Sequence, residues 1–509
     1  MSVEAPAVAV PRVPDKARAG QGRQALVLLS SGFGLVFLVG LLGPSAIAVT
    51  LPQRQAWLPP FWFDADPSPW LVIGLILAAI ACGAIGVHLA LRALAAGWEP
   101  SLRRLIGLGA GGVSAIALVP PMGSGDILMY AGYGRVAALG HSPYVTAPAD
   151  ISRLGYDPVI SSVELPWQET TTVYGPVATW LQEAVSSISG ESTHTTVMWL
   201  HLTNALAYLA IAALVLVLAG RDPNARARAA LLVLANPVLV WAVVAGGHND
   251  AQAVLFAIAG IVVARRSPFA AGLLVGLGGA IKLNVALFGL ALLWGMRRSP
   301  RISAEVCAGA TLALIGTYGV VGPQAFDQIR AASRFISTGT QWRMVFEPLR
   351  DLVPEGLART LILGAALVSM ILMAVLLART LPRQGMAYGG LDPSPDAVRA
   401  AAVLCLAWLV TAPYVLPWYA LVAWVPLAVL AASPADRLLL FWTSALSAAY
   451  AAGRVVGLPS ALQSMKVTAI EDVLPVVLTV LIALIIGWCC RSRPRSTRLL
   501  RMLVPARRD

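Results

Sequence analysis

Residues 67–91 read PSPWLVIGLILAAIACGAIGVHLAL, and Arg92 is the first charge after them. At 1.5 Å per residue such a run makes a helix of about 37 Å, longer than the roughly 30 Å hydrocarbon core of a bilayer. Further uncharged runs occupy 24–53, 105–125, 192–220, 229–249, 306–326, 360–378, 400–435 and 473–490. Shorter ones occupy 251–264, 267–281, 283–296 and 438–453. Of the 509 residues, 58% are hydrophobic and only 12% charged, about half the charge of a soluble globular protein. A water-soluble fold is excluded. The pattern predicts an all-α integral membrane protein, a polytopic bundle of about fourteen segments.

The first apolar run far exceeds the roughly 7 to 15 residues of a signal-peptide core, so it is expected to persist as a helix. A cytoplasmic N-terminus places most of the 37 Lys and Arg inside, Arg103, Arg104, Arg265, Arg266, Arg297 and Arg298 among them, as the positive-inside rule requires. Both termini are then cytoplasmic in the cell membrane. The resulting division is a tail at 1–23, a main transmembrane module at 24–378, a Gly/Pro-rich cytoplasmic linker at 379–399, further helices at 400–490 and a basic tail at 491–509. That tail directly follows a spanning helix, so attraction to anionic lipid explains it and no nucleic-acid partner is expected. Cys82, Cys307, Cys405, Cys489 and Cys490 lie in or beside apolar runs, which predicts neither disulfides nor a metal site.

Two outer loops, 122–191 and 323–358, are too long to be simple connections and are expected to carry interfacial helices and function. The first holds Gly123-Ser124-Gly125-Asp126, then a stretch reading as a short amphipathic helix, then Gly140-His141-Ser142-Pro143-Tyr144. Asp126 falls at that helix's N-terminus, where an ionised carboxylate is favoured. It serves there either as a cap or as a base able to take a proton from a sugar hydroxyl. Farther on, Thr170 to Pro176 forms an aromatic turn around Tyr174, suited to stacking on a sugar or to interfacial anchoring. Gly246-Gly247-His248-Asn249-Asp250 places three polar side chains in succession at membrane depth, which is expensive without a cavity or ligand. Lys282, with Asn284 nearby, reads as a lone cation among apolar neighbours. It fits an anionic ligand such as a lipid phosphate, or snorkelling to the interface. The second long loop carries Arg330, Arg334, Arg343 and Arg350 among Phe335, Trp342 and Phe346, a surface suited to phosphate capture. Pro413-Tyr414-Val415-Leu416-Pro417-Trp418-Tyr419 breaks the 400–435 run at its middle, opening a cavity or making a hairpin turn.

Taken in order, these motifs resemble the polyprenol-phosphate-mannose-dependent α-1,6-mannosyltransferases of the GT-C superfamily. The resemblance rests on Asp126-Ile-Leu-Met-Tyr130 with Gly140 to Tyr144, Tyr174-Gly175-Pro176, Gly247 to Asp250, Lys282 and Leu416-Pro417-Trp418-Tyr419. It implies a GT-C-type bundle in which Asp126 is the catalytic base acting at the outer face. Lys282, His248, Arg334 and Arg343 would receive the donor phosphate. Tyr130, Tyr144, Tyr174, Asn249, Asp250, Trp418 and Tyr419 would contact substrates. The implied partners are a polyprenyl-phosphate-sugar donor, a glycan or glycolipid acceptor and the lipid bilayer. Transfer would proceed with inversion to an α-1,6 linkage. Gly125 stands where GT-C enzymes often carry a second charged residue, and no cofactor or divalent metal is expected. The rivals are a transporter or flippase of lipid-linked sugars and an inactive scaffold in envelope synthesis. Charges gathered at one surface and dissimilar halves favour the enzyme over the transporter.

Overall fold

The computed structural model describes residues 15–52, 57–382, 394–454 and 456–492. Most of the N-terminal tail, the middle of the linker and the basic tail after residue 492 lie outside the described residues. Helices dominate, and among the described residues the only strand-like pairing is the isolated bridge of Ala48 with Met122.

Several helices start on the same local device. Ser68-Pro69, Ser267-Pro268, Ser299-Pro300 and Ser394-Pro395 each put a serine at the cap, its hydroxyl accepting a backbone N–H of the first turn. Proline follows at the first helical position, where its missing N–H costs nothing. Among the described residues, seven helices are long and apolar enough to cross a membrane: Gly20–Leu42, Pro69–Ala95, Thr193–Leu218, Pro223–Ala245, Pro300–Val321, Glu355–Thr380 and Ser460–Arg491. Asp250–Val263, Pro268–Gly279, Leu283–Met296 and Pro417–Val429 are shorter apolar helices. The chain is a polytopic helical membrane protein.

Burial sorts these helices by depth. Pro300–Val321 and Glu355–Thr380 present Leu312, Ile315, Leu367 and Leu372 outward, as lipid-facing helices do when no water must be avoided. Pro223–Ala245 is buried along its whole apolar window. It is also irregular: Asn236-Pro237 interrupts it, and its two parts contain the π-turns Ala230–Leu234 and Trp241–Ala245. Only inside protein is such backbone tolerated at this depth. The second π-turn delivers the chain straight into Gly246-Gly247-His248.

At the same end of the bundle, three distant segments are tied by backbone bonds. Gly123 N donates to Ile47 O (2.9 Å), Val49 N to Pro121 O (2.9 Å) and Met122 N to Ala245 O (2.7 Å). The long loop beyond them carries the helices Asp126–Ala138 and Pro176–Ser189. The first was expected to be amphipathic and is not: Ile127 through Gly134 are all buried. Its outer face is covered by Pro176–Ser189, and a Cβ on Gly134 would overlap the Gln182 carbonyl. The second long loop folds as the helices Ala325–Ala332 and Arg343–Arg350.

Candidate active site

Asp126 is the first residue of its helix, and Gly125 occupies the cap position. The Asp126 N–H donates to Ser124 Oγ at 3.1 Å. The first N–H of the helix is thus met by Ser124, two residues back, and the Asp126 carboxylate is left to face a cavity. His248 Nδ1 stands 3.5 Å from Asp126 Oδ2, close enough to interact electrostatically but longer than an ordinary hydrogen bond. Burial pushes the Asp126 carboxyl up, but His248, Ser124 and the more distant Lys282 charge outweigh it and hold the group below its ordinary value. Such a carboxylate is ionised at neutral pH.

His248 is fixed from three sides. Its ring stacks on Trp418 at 3.6 Å between centroids and 14° between planes. Its loop is held by His201 Nε2 against Val244 O (2.8 Å) and by Asn204 Nδ2 donating to Gly247 O (2.5 Å). Gly247 has φ +63°, a left-handed conformation that glycine adopts without strain. His201 and Asn204 lie on Thr193–Leu218 and were not singled out from sequence; two polar residues one turn apart in an apolar helix were the available signal.

Lys282 is not the lone cation that its neighbours in sequence suggest. Its Nζ lies 2.5 Å from Asp250 Oδ2 and 4.7 Å from the Tyr419 ring centroid. Asp250 is fully buried, with Oδ1 lacking a partner. Lys282 therefore neither snorkels nor stands free; it carries a counter-ion thirty-two residues away.

Three adjoining cavities run through this end of the bundle. The first, about 280 Å³, is lined by Ser124, Asp126, Glu164, Trp167, Tyr174, Trp418, Tyr419, Tyr450 and Arg454, among others. The second, about 430 Å³, shares Tyr174, Phe335, Tyr414 and Tyr419 with the first and adds Lys282 and Asn284. The third, about 750 Å³, shares Leu283, Leu290, Tyr318 and Ile329 with the second and is lined almost wholly by apolar side chains. Glu164 and Arg454 escaped the sequence reading. Arg454 is 4% exposed and is paired to Glu164 Oε1 through Nε (3.0 Å) and Nη2.

Of the residues expected at the site, Asp126, Tyr174, Trp418, Tyr419 and Lys282 line this path, and His248 stands directly behind it. The others do not line it. Tyr130 is buried against Tyr174, the Tyr174 hydroxyl donating to the Tyr130 oxygen at 3.4 Å. The Tyr144 hydroxyl meets Thr179 Oγ1 at 3.1 Å inside the long loop. Asn249 is buried beside His248 with both side-chain polar atoms unpartnered. Arg334 points to the surface, and Arg343 pairs with Glu471 at 2.7 Å. Ala325–Ala332 does border the cavities, through Ile329 and Ala332, but no arginine of the second loop is among the lining residues; Arg330 pairs with Asp327 and Arg350 with Glu347.

Residues 32–298 match the family model for the alpha-(1->6)-mannopyranosyltransferase N-terminal domain. Among similar proteins is an alpha-(1->6)-mannopyranosyltransferase of Mycobacterium tuberculosis, 26% identical over 393 residues, covering 63% of this chain and 64% of that one. A probable alpha-(1->6)-mannopyranosyltransferase of Mycolicibacterium smegmatis is 28% identical over 377 residues, with the same coverage of both chains. Alpha-(1->6)-mannopyranosyltransferase A of Corynebacterium glutamicum is 25% identical over 177 residues, 34% of this chain and 35% of that one. The match thus spans less than two thirds of those relatives' length. No solved structure matches the chain. The family match covers just over half of the sequence and includes Asp126, His248, Asp250 and Lys282, and on it the chain belongs to the alpha-(1->6)-mannopyranosyltransferase family.

Proposed function

We propose that the protein is an inverting membrane mannosyltransferase. It takes mannose from polyprenyl-phosphate-mannose and joins it, in an α-1,6 linkage, to a hydroxyl of an envelope mannan or glycolipid. The carrying observation is the order of the three cavities. An apolar groove suits a polyprenyl tail, the Lys282 chamber suits a phosphate, and the Asp126 chamber suits two sugars, and they adjoin in that sequence. The cavity end of the bundle faces the outside of the cell, with both termini cytoplasmic.

In the reaction the Asp126 carboxylate takes the proton of the acceptor hydroxyl as that oxygen attacks the anomeric carbon. The bond from that carbon to the phosphate oxygen breaks, and its electron pair leaves on the phosphate. Lys282 and the Asn284 amide, whose polar atoms lack protein partners, stabilise the charge that develops there. His248, held by Trp418, keeps the carboxylate oriented.

Asp126→Asn tests this reading. Asparagine keeps the size of the side chain, so folding stability should change by about a kcal/mol or less. Transfer from polyprenyl-phosphate-mannose to a short mannoside should fall at least roughly a hundredfold, with donor binding preserved. In the wild type, a base held below the ordinary carboxylate value places the acid limb of kcat/KM below about pH 4. Transfer by Asp126→Asn within about tenfold of wild type removes Asp126 as the base.

A further inference from the structure

Building on that reading, we infer that Glu164, positioned by Arg454, receives a hydroxyl of the acceptor sugar and so sets which acceptors are used. The argument starts from an incomplete ion pair. Arg454 directs Nε and Nη2 to one oxygen, Glu164 Oε1, and turns Nη1 to the carbonyls of Ser45 (2.5 Å) and Ala48. Glu164 Oε2 is left buried without a partner. A buried carboxylate oxygen without a donor is costly, and a wall residue of a cavity that must admit a polyol has an obvious source for one.

The packing holds Glu164 in this posture. A Cβ on Gly125 would lie 2.5 Å from Glu164 Oε2, so any other residue before Asp126 would push the carboxylate out of this position. Gly453 likewise presses so closely on the Gly123 carbonyl that a Cβ there would overlap it, which lets Arg454 reach inward. Lys466 Nζ donates to Arg454 O at 3.1 Å and pins the turn from the other side.

The hydroxyl belongs to the acceptor because of where the pair sits. Glu164 and Arg454 line the 280 Å³ chamber with Asp126 but not the Lys282 chamber next to it. They form the wall away from the donor phosphate, beside the base that the attacking hydroxyl must reach.

The experiment uses the full-length protein, polyprenyl-phosphate-mannose and a panel of α-1,6-linked mannose disaccharides, each lacking one hydroxyl. In the wild type, one deoxy acceptor should lose roughly 10- to 100-fold in kcat/KM, the span of a hydrogen bond to a charged group. In Glu164→Gln that penalty should shrink to about threefold or less, because an amide there offers a donor where an acceptor is needed. With intact acceptor its saturated kcat should stay within about tenfold of wild type, unlike loss of a base. Retention of the full penalty in Glu164→Gln overturns the inference. So does a kcat fall of roughly a hundredfold at unchanged acceptor KM, which would make Glu164 the base. If Glu164→Gln does not fold, Glu164→Asp takes its place, with the penalty again expected to shrink because the shorter chain cannot reach both Arg454 and the sugar. A wild type that transfers mannose but shows no deoxy penalty above about threefold sinks this inference alone. A wild type that transfers no mannose sinks the proposed function instead.

Discussion

Two buried arginine–carboxylate pairs sit in different parts of this bundle and are built differently. Arg228 and Asp436 join Nε to Oδ2 (2.8 Å) and Nη2 to Oδ1 (2.5 Å), and the remaining guanidinium hydrogens go to the carbonyls of Leu427, Ala428 and Leu430. Both carboxylate oxygens are engaged, and the arginine caps the C-terminal end of Leu421–Val429. In Arg454–Glu164 one carboxylate oxygen takes both arginine bonds and the other takes none. Lys282–Asp250 has the same half-used form, with Asp250 Oδ1 bare. The pair set apart from the three adjoining cavities closes on itself, although it too borders a cavity, of about 500 Å³; the pairs beside Asp126 and Tyr419 each leave one carboxylate oxygen without a partner.

The largest effect that would break this comparison is on stability. Asp436→Ala strands a buried guanidinium and should cost about 3–5 kcal/mol, whereas Arg228→Met with Asp436→Leu should be near neutral. Denaturation of the purified variants measures both. Asp436→Asn must turn an amide N–H toward the guanidinium and should cost more than Glu164→Gln, whose amide can sit at the unpartnered position; equal costs would make the two pairs alike.

A middling effect is expected at Lys282. Lys282→Ala should raise the KM for the donor by roughly 10- to 100-fold, while Lys282→Arg should recover part of it, since both the phosphate and Asp250 need a charge more than a shape. Equal donor KM in wild type and Lys282→Ala would leave Lys282 as no more than the counter-ion of Asp250. The smallest effect is expected at Arg334, exposed on the second loop. Arg334→Ala should keep transfer within about threefold, because an exposed charge is screened by water. A larger loss would mean that the loop closes over the donor.

Much of this was legible in the chain. The apolar runs announce the helices, because in hydrocarbon every backbone polar group must bond within its own segment. Asp126, Lys282 and the Trp418-Tyr419 pair stood out because charge and proline are costly where they occur. Partnerships were not legible. Asp250 and Lys282 are joined only by the turns around Pro268–Gly279, and Glu164 meets Arg454 across 290 residues of sequence. Arg454 carried one faint signal, a solitary cation directly after the uncharged run 438–453. The arginine-rich second loop misled for the opposite reason: local abundance of charge says nothing about which side of a helix faces inward. The helix after Asp126 misled too, since its polar side chains meet protein partners, Tyr130 with Tyr174, Tyr133 with Thr170 and Arg135 with Asp157, rather than water.

The turn at Gly453 and Arg454 also sets a sequence of events during synthesis. Ser45, Asp126 and Glu164 leave the ribosome long before Arg454 does, so through most of translation Glu164 has no counter-ion and the chamber lacks a wall. Trp418, the support for His248, also arrives late. A nascent chain therefore has no finished chamber until its last helices are inserted, and a truncation between Tyr419 and Arg454 would keep the lining of the Lys282 chamber and of the apolar groove while removing one wall of the Asp126 chamber.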